Sequence, residues 1–224
     1  MLGLQTAIVI NNIDPLMQAR VQIKINSQTE EGIPIWARLG NVFASNHAGF
    51  VFIPDIGDEV IVGFIGNQLD EPVVLGSLYS KSQQIPFQSN GFDGLKGIVT
   101  KNQLKISFDD IKKTISIDTP AGNSIAINDQ MKSVVINDQN GNNITLGPEG
   151  ISIHSPKDIV LNAGGELKLN TTTKLNVNAK SDIEIAGLNV KVDAKMSAKV
   201  SGNATAELSA GGKTTVKGAL VMIN

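Results

Sequence analysis

The chain has no cysteine among its 224 residues, which excludes disulfides and thiolate metal sites. It has two histidines, His47 and His154, far apart and never in a His-x-His pair. The first reads as a loop residue in Ser45-Asn46-His47-Ala48-Gly49, the second as a surface residue at a strand end. No nucleophile motif, phosphate loop or paired ligand spacing appears, so no catalysis, no cofactor and no metal are expected. Aromatic residues are scarce, 4% of the chain, and none follows Phe108. The two halves therefore need different cores. Formal net charge is -2, with no long run of one sign. This argues against nucleic acid or an anionic membrane as a partner held mainly by Lys and Arg. No apolar stretch approaches the roughly 20 residues of a membrane span. The N-terminus MLGLQTAIVINN carries neither a basic region nor a cleavage site. Synthesis in a cytoplasm without a signal peptide is expected, and any export needs a machine.

What the chain has in abundance is periodicity. Ile151/Ile153, Ile159/Leu161, Leu167/Leu169, Leu175/Val177 and Ile183/Ile185 are apolar pairs, and each starts eight residues after the last. After a slip of one residue the pattern resumes as Val190/Val192, Ala198/Val200, Ala206/Leu208 and Thr214/Val216. The period of two within a pair predicts a strand with one buried face. The period of eight between pairs predicts short strands and turns in repetition, and such units bury their faces only by stacking. A single-chain coil needs roughly 20 residues to enclose its own core. Three chains, each giving one octad per layer, would form a triangular prism with layers about 4.8 Å apart. Intertwining would hide most strand edges and slow unfolding. Looser pairs precede the octads: Ile106/Phe108, Ile115/Ile117, Ile125/Ile127, Val134/Ile136 and Ile144/Leu146. Asn140-Gly141 among the intervening turns is a tight-turn signal. Later octads carry Ala and Gly, so a stack would thin toward the C-terminus. The apolar end Val221-Met222-Ile223-Asn224 would leave a patch of the kind that marks a partner site.

The first 80 or so residues predict six short strands and no helix: Thr6–Ile10, Ala19–Ile25, Trp36–Leu39, Gly49–Ile53, Glu59–Ile65 and Pro72–Leu78. Strands at this spacing predict a small antiparallel barrel. Pro54 ends a strand and Gly57 permits a tight turn. Val60, Val62 and Phe64 share the face assigned to the interior, and Phe50 and Phe52 also fit core positions. Asp58-Glu59 reads as a solvated turn before a strand, the sharper alternative being an acid/base pair.

The string Phe52-Ile53-Pro54-Asp55-Ile56-Gly57-Asp58-Glu59-Val60-Ile61-Val62-Gly63-Phe64, followed by Glu71-Pro72-Val73-Val74-Leu75-Gly76-Ser77-Leu78-Tyr79, resembles the OB-fold of central spike proteins of contractile injection systems. That family includes phage baseplate protein V, the T4 spike and the VgrG spikes of type VI secretion. The stretch Asn90–Val99 and then Ile106–Asp110 is similar to the family's join between barrel and needle. The resemblance implies an all-β chain: an N-terminal OB-fold barrel (1–85), a neck (86–110) and an intertwined triple-stranded β-helical needle (111–224), forming a homotrimeric prism. It implies Phe52, Pro54, Gly57, Asp58, Glu59, Val60, Pro72 and Gly76 as a structural barrel motif. The needle core would be Ile151, Ile153, Ile159, Leu161, Leu167, Leu169, Leu175, Val177, Ile183 and Ile185. It further implies a hub protein at the barrel, a PAAR-type tip protein docked on Val221–Asn224 and transient contact with a target envelope. The family's larger members carry a hub region before the barrel. The hub is thus expected as a separate protein, or the sequence as a fragment of a VgrG-like spike. Barrel and needle are nearly continuous, which leaves no room for an inserted lysozyme domain. Two other classes compete. An OB-fold module binding oligonucleotide or oligosaccharide needs exposed aromatics and a basic groove. A free-standing β-helical adhesin or lyase fits neither the octads nor the missing signal.

Overall fold

The structure is a computed structural model that describes residues 3–26, 32–87 and 94–223. Residues 88–93 of the expected neck, and Asn224 of the expected docking patch, lie outside the described residues. The described chain is all-β apart from one 3-10 turn at Ile65–Asn67.

The first seven strands are β1 (Gln5–Asn11), β2 (Val21–Ile25), β3 (Ile35–Leu39), β4 (Ala44–Ser45), β5 (Ala48–Gly49), β6 (Glu59–Phe64) and β7 (Pro72–Ser77). Five of them close a barrel in the order β1-β2-β3-β7-β6, with β6 returning to β1. Every pairing is antiparallel except β3 with β7. A closed five-stranded barrel with this crossover is the OB architecture. Alternation builds its core. Ala7, Val9, Val21, Ile23, Ile25, Ala37, Val60, Val62 and Val74 are buried, with Ile35, Leu39 and Phe64 packed against them. The expected strand at Gly49–Ile53 does not form beyond β5. The parallel β3–β7 pair closes the barrel, so residues 50–53 have no ladder partner. Phe50 instead donates its N–H to the Phe43 carbonyl (3.0 Å). Phe50 and Phe52 are correspondingly 53% and 58% exposed and do not belong to the core.

A second sheet follows: β8 (Leu95–Val99), β9 (Lys105–Asp109), β10 (Thr114–Asp118), β11 (Ser124–Asn128), β12 (Ser133–Asn137), β13 (Asn143–Gly147) and β14 (Gly150–His154). These form an antiparallel meander in which each strand pairs with the next. The sheet begins at Leu95, inside the segment expected as neck, whereas the last barrel strand ends at Ser77. A 19-residue, two-strand unit repeats through it: Ile106, Ile125 and Ile144 are equivalent, as are Phe108, Ile127 and Leu146. The turns repeat as well. Thr100, Thr119 and Asp138 each accept, on a side-chain oxygen, the N–H of the residue four further on, at 3.1, 3.3 and 2.8 Å. Gln103, Gly122 and Gly141 take the left-handed conformation at the same place in each turn, with φ of 63°, 95° and 88°.

Beyond β14 no strand occurs among the described residues, and from Pro156 their side chains are exposed. The chain divides into two compact units, residues 1–161 and 162–224. No helix among the described residues is long and apolar enough to cross a membrane.

Candidate functional site: the barrel motif and the apolar ladders

The motif Pro54–Glu59 is a turn fastened to the barrel from two sides. Gly57 has φ 96°, a conformation that favours glycine. Its N–H donates to the Val9 carbonyl (2.8 Å), and the Val9 N–H returns to the Asp58 carbonyl (2.9 Å). The Asp58 carboxylate accepts the Asp55 N–H (2.8 Å). Gln83 closes the arrangement: its amide N–H donates to the Gly57 carbonyl (2.7 Å) and its amide oxygen accepts the Glu59 N–H (3.1 Å). Gln83 thus acts as a piece of strand along the start of β6. Asp58 is engaged in holding a turn, which fits the structural reading of the motif. Val60 is buried and Pro72 starts β7 in the buried face, whereas Gly76 and Phe52 are exposed. Lys101, in the first turn of the second sheet, pairs with Asp55 (3.3 Å).

A second polar anchor went unread in the sequence. The Asp14 carboxylate accepts the N–H groups of Leu16, Gln18 and Arg20 at 3.0, 2.8 and 3.2 Å and two bonds from the Arg20 guanidinium. The closer of these guanidinium contacts is 2.8 Å. Chiefly through Arg20, the carboxyl is held well below the usual carboxylate range. The guanidinium also lies over the Trp36 ring, 5.3 Å from its centroid. The visible signal was Asp-Pro opening a six-residue return to Arg20. The pairing itself depends on a left-handed backbone at Met17 and Ala19, which composition does not announce.

The largest apolar feature of the described chain lies on the second sheet. Register aligns Ile98, Ile106, Ile117, Ile125, Ile136, Ile144 and Ile153 in one column across seven strands. Phe108, Ile115, Ile127, Val134, Leu146 and Ile151 form a second column beside it. Both columns lie on one face, and most of these side chains are exposed. The opposite face is mostly polar, with Ala126 and Val135 among its apolar members, and Asn128 donates to Thr114 across it (2.8 Å). The last members, Ile151 and Ile153, are also the first pair of the octad series. The later expected core residues, Ile159 through Ile185, are exposed too. His47 is an exposed loop residue with φ 54°, and His154 ends β14. Among the described residues no group of His, Asp or Glu is arranged to hold a metal ion.

Residues 5–79 match the family model described as the type VI secretion system/phage-baseplate injector OB domain. The barrel belongs to that family. Among curated proteins, the chain is similar to the type VI secretion system spike protein VgrG1a of Pseudomonas aeruginosa, 29% identical over 49% of this chain and 19% of that protein. The spike protein VgrG1c of the same organism is 31% identical over 38% of this chain and 13% of its own length. The actin cross-linking toxin VgrG1 of Vibrio cholerae is 34% identical over 27% of this chain and 6% of that protein. The chain thus spans less than a fifth of the length of these relatives. The resemblance to central spike proteins read from the barrel motif is borne out.

Proposed function

We propose that this chain is the structural central spike of a contractile injection machine, a phage tail baseplate or a related injection particle. Three copies assemble with their barrels beside a hub protein and their apolar columns facing a common axis. The needle, residues 111–224, pierces the target envelope mechanically, driven by contraction. The motif residues Phe52 to Val60, Pro72 and Gly76 shape the barrel end. The octad pairs from Ile151 to Ile185 fill the needle core. Val221–Asn224 dock a PAAR-type tip protein. The spike performs no chemistry; stiffness and a narrow cross-section concentrate force. It reaches the envelope as part of the particle.

The observation that carries this reading is the pair of apolar columns, exposed in one chain and continuous in sequence with the octads, behind an injector OB domain. Each such side chain has about half its surface left to bury, worth roughly 1 kcal/mol apiece. Thirteen of them per chain supply on the order of 10 kcal/mol, comparable to the cost of association. One flat sheet has no means of burying that face on itself. Light scattering coupled to size exclusion tests the reading: three chains of 23.7 kDa weigh about 71 kDa. A 23.7 kDa monomer would sink it.

One observation favours the oligonucleotide-binding alternative: Phe43, Phe50 and Phe52 are exposed beside the barrel. Stacking platforms work with a basic groove, however, and residues 1–87 hold four basic side chains against eight acidic ones. Titration with a single-stranded oligonucleotide at two salt concentrations is expected to show no binding. A VgrG-like spike fragment has the same assembly and differs only in what precedes the barrel.

A further inference from the structure

The chain holds two Asn-Gly pairs, Asn90-Gly91 and Asn140-Gly141, and the first lies outside the described residues. The second sits in the turn between β12 and β13, outside the apolar columns. Both of its residues are exposed. Asp138 holds this turn through four bonds. Its Oδ1 accepts the backbone N–H groups of Asn140 (2.9 Å) and Asn142 (2.8 Å). Its Oδ2 accepts the side-chain amides of Asn140 (3.0 Å) and Asn142 (2.7 Å). The turn also grips the chain that leaves β14. The Ser155 hydroxyl donates to Asn142 Oδ1 (2.6 Å) and accepts the Lys157 N–H (3.1 Å). A relay thus runs from Asp138 through Asn142 and Ser155 to Lys157. Gly141 is its open point. Its N–H reaches the Asp138 carbonyl at 3.3 Å, a long and weak bond. No Cβ shields that nitrogen. Outside its chain neighbours, the nearest atom to the place a Cβ would take is Pro156 Cγ, at 3.7 Å.

We propose that Asn140 is a modification site: its side chain cyclises onto Gly141 and opens to aspartate or isoaspartate, which releases the relay to the chain beyond β14. The Gly141 nitrogen attacks Cγ of Asn140 and a C–N bond forms. The Cγ–Nδ2 bond breaks, and ammonia leaves with the proton of the Gly141 N–H. Water then adds to one carbonyl of the succinimide and cleaves its bond to nitrogen. Opening at the side-chain carbonyl gives aspartate. Opening at the main-chain carbonyl gives isoaspartate, with an extra methylene in the backbone. Water is the only co-reactant. Either product sets a carboxylate against Asp138, where an amide donor stood at 3.0 Å. Like charges so close disfavour each other and push the turn apart. Isoaspartate also displaces Gly141 and Asn142 along the chain. The relay is then broken at its first member, and Ser155 and Lys157 lose their link to the sheet turn.

The test is to age the full chain in mildly alkaline buffer and map its peptides by mass spectrometry, with isoaspartate measured by enzymatic methyl transfer. Conversion at Asn140 is expected to exceed that at Asn46 and Asn102, exposed asparagines whose next residues, His47 and Gln103, carry a Cβ. Asn90 supplies the standard for the dipeptide itself. Conversion at Asn90 with Asn140 intact would show that the fold holds the side chain away from Gly141, and would overturn the site. Conversion at Asn140 no greater than at Asn46 and Asn102 would do the same. Asn140→Gln, which needs a larger ring to cyclise, is expected to yield no isoaspartate there. Hydrogen exchange reads the consequence. The N–H groups of Asn142 and Lys157 are expected to exchange about fivefold faster, the worth of one hydrogen bond, in aged wild type and in fresh Asn140→Asp. Ageing of Asn140→Gln should leave its own exchange unchanged. Full conversion with unaltered exchange would overturn the release of the relay. These readouts do not depend on how many chains assemble, so they stand or fall apart from the spike reading.

Discussion

The barrel and the second sheet use the same local code and reach different ends. In β2, Val21, Ile23 and Ile25 alternate with polar residues and all three are buried. In β11, Ile125 and Ile127 alternate with Ser124, Ala126 and Asn128, and both remain more than 40% exposed. The difference is closure. The barrel strands curl until β6 meets β1, with register shifts at Val9/Asn11 and Ile61/Val62 of the kind that bend a sheet. The second sheet runs through seven strands with unbroken hairpin register and never returns to its own first strand. Alternation dictates a strand with one apolar face; it does not dictate how many chains are needed to cover that face.

The sharpest way to break this comparison is to charge one column. Ile125→Asp places a carboxylate in the middle of the face that three chains are proposed to share. An uncompensated buried charge costs about 3–5 kcal/mol, and threefold symmetry repeats it. The expected outcome is loss of the trimer by light scattering, with the barrel still folded. Thr145→Asp, on the polar face, is expected to leave the mass unchanged. If both variants stay trimeric, the columns do not form the interface.

The converse substitution belongs in the barrel. Ile23 is fully buried, and Ile→Ala at such a site costs about 2–5 kcal/mol. Ile23→Ala should lower the barrel's unfolding transition and leave the mass at that of the trimer. A fall in mass would mean that the barrel, rather than the columns, holds the chains together.

These two positions also show what was legible in the sequence. Alternation located β1, β2, β3, β6 and β7 to within about two residues, because each has a buried face to satisfy. It failed at Gly49–Ile53, a continuous apolar run whose ladder partner is taken by the β3–β7 pair. The octads hid a second repeat. The 19-residue unit of β8–β14 alternates a short turn after β9, β11 and β13 with a longer-spaced return, so no single period emerges from the apolar pairs alone. Its markers are polar: Thr100, Thr119 and Asp138 share one role through different side chains. The Asp14–Arg20 anchor was unreadable for the same reason, since it rests on backbone conformation between the partners. A turn at Gly57 could be expected from the sequence because proline, glycine and aspartate each have a distinct local signature.

Acid separates the two regions more gently. Asp138 accepts bonds from the side chains of Asn142 and Asn140, which lower its pKa to about 2. Arg20 chiefly lowers that of Asp14. Both folded values lie below the unfolded value of about 3.9. Each carboxylate therefore contributes stability that is complete well above pH 4 and is lost as pH falls through the folded value. Asp138→Asn is expected to flatten the acid dependence of the sheet between about pH 4 and pH 2, and Asp14→Asn that of the barrel. A single common acid transition, shifted by either variant, would show that the two regions unfold as one unit.

The smallest effect tests the turns that set the sheet's register. At Gly122, φ is 95°, and an added Cβ would meet nothing within 4 Å. The cost of Gly122→Ala is therefore backbone strain alone, about 1 kcal/mol. At Lys132, on the other edge of the sheet, φ is 49°, close to the left-handed well that a side chain tolerates. Lys132→Gly gains little there and adds unfolded-state entropy, so it should shift stability by only a few tenths of a kcal/mol. Denaturant midpoints of the two variants should differ in that order, with equal m-values. Equal midpoints would mean that neighbouring chains, rather than the turns, fix the register of β10 against β11.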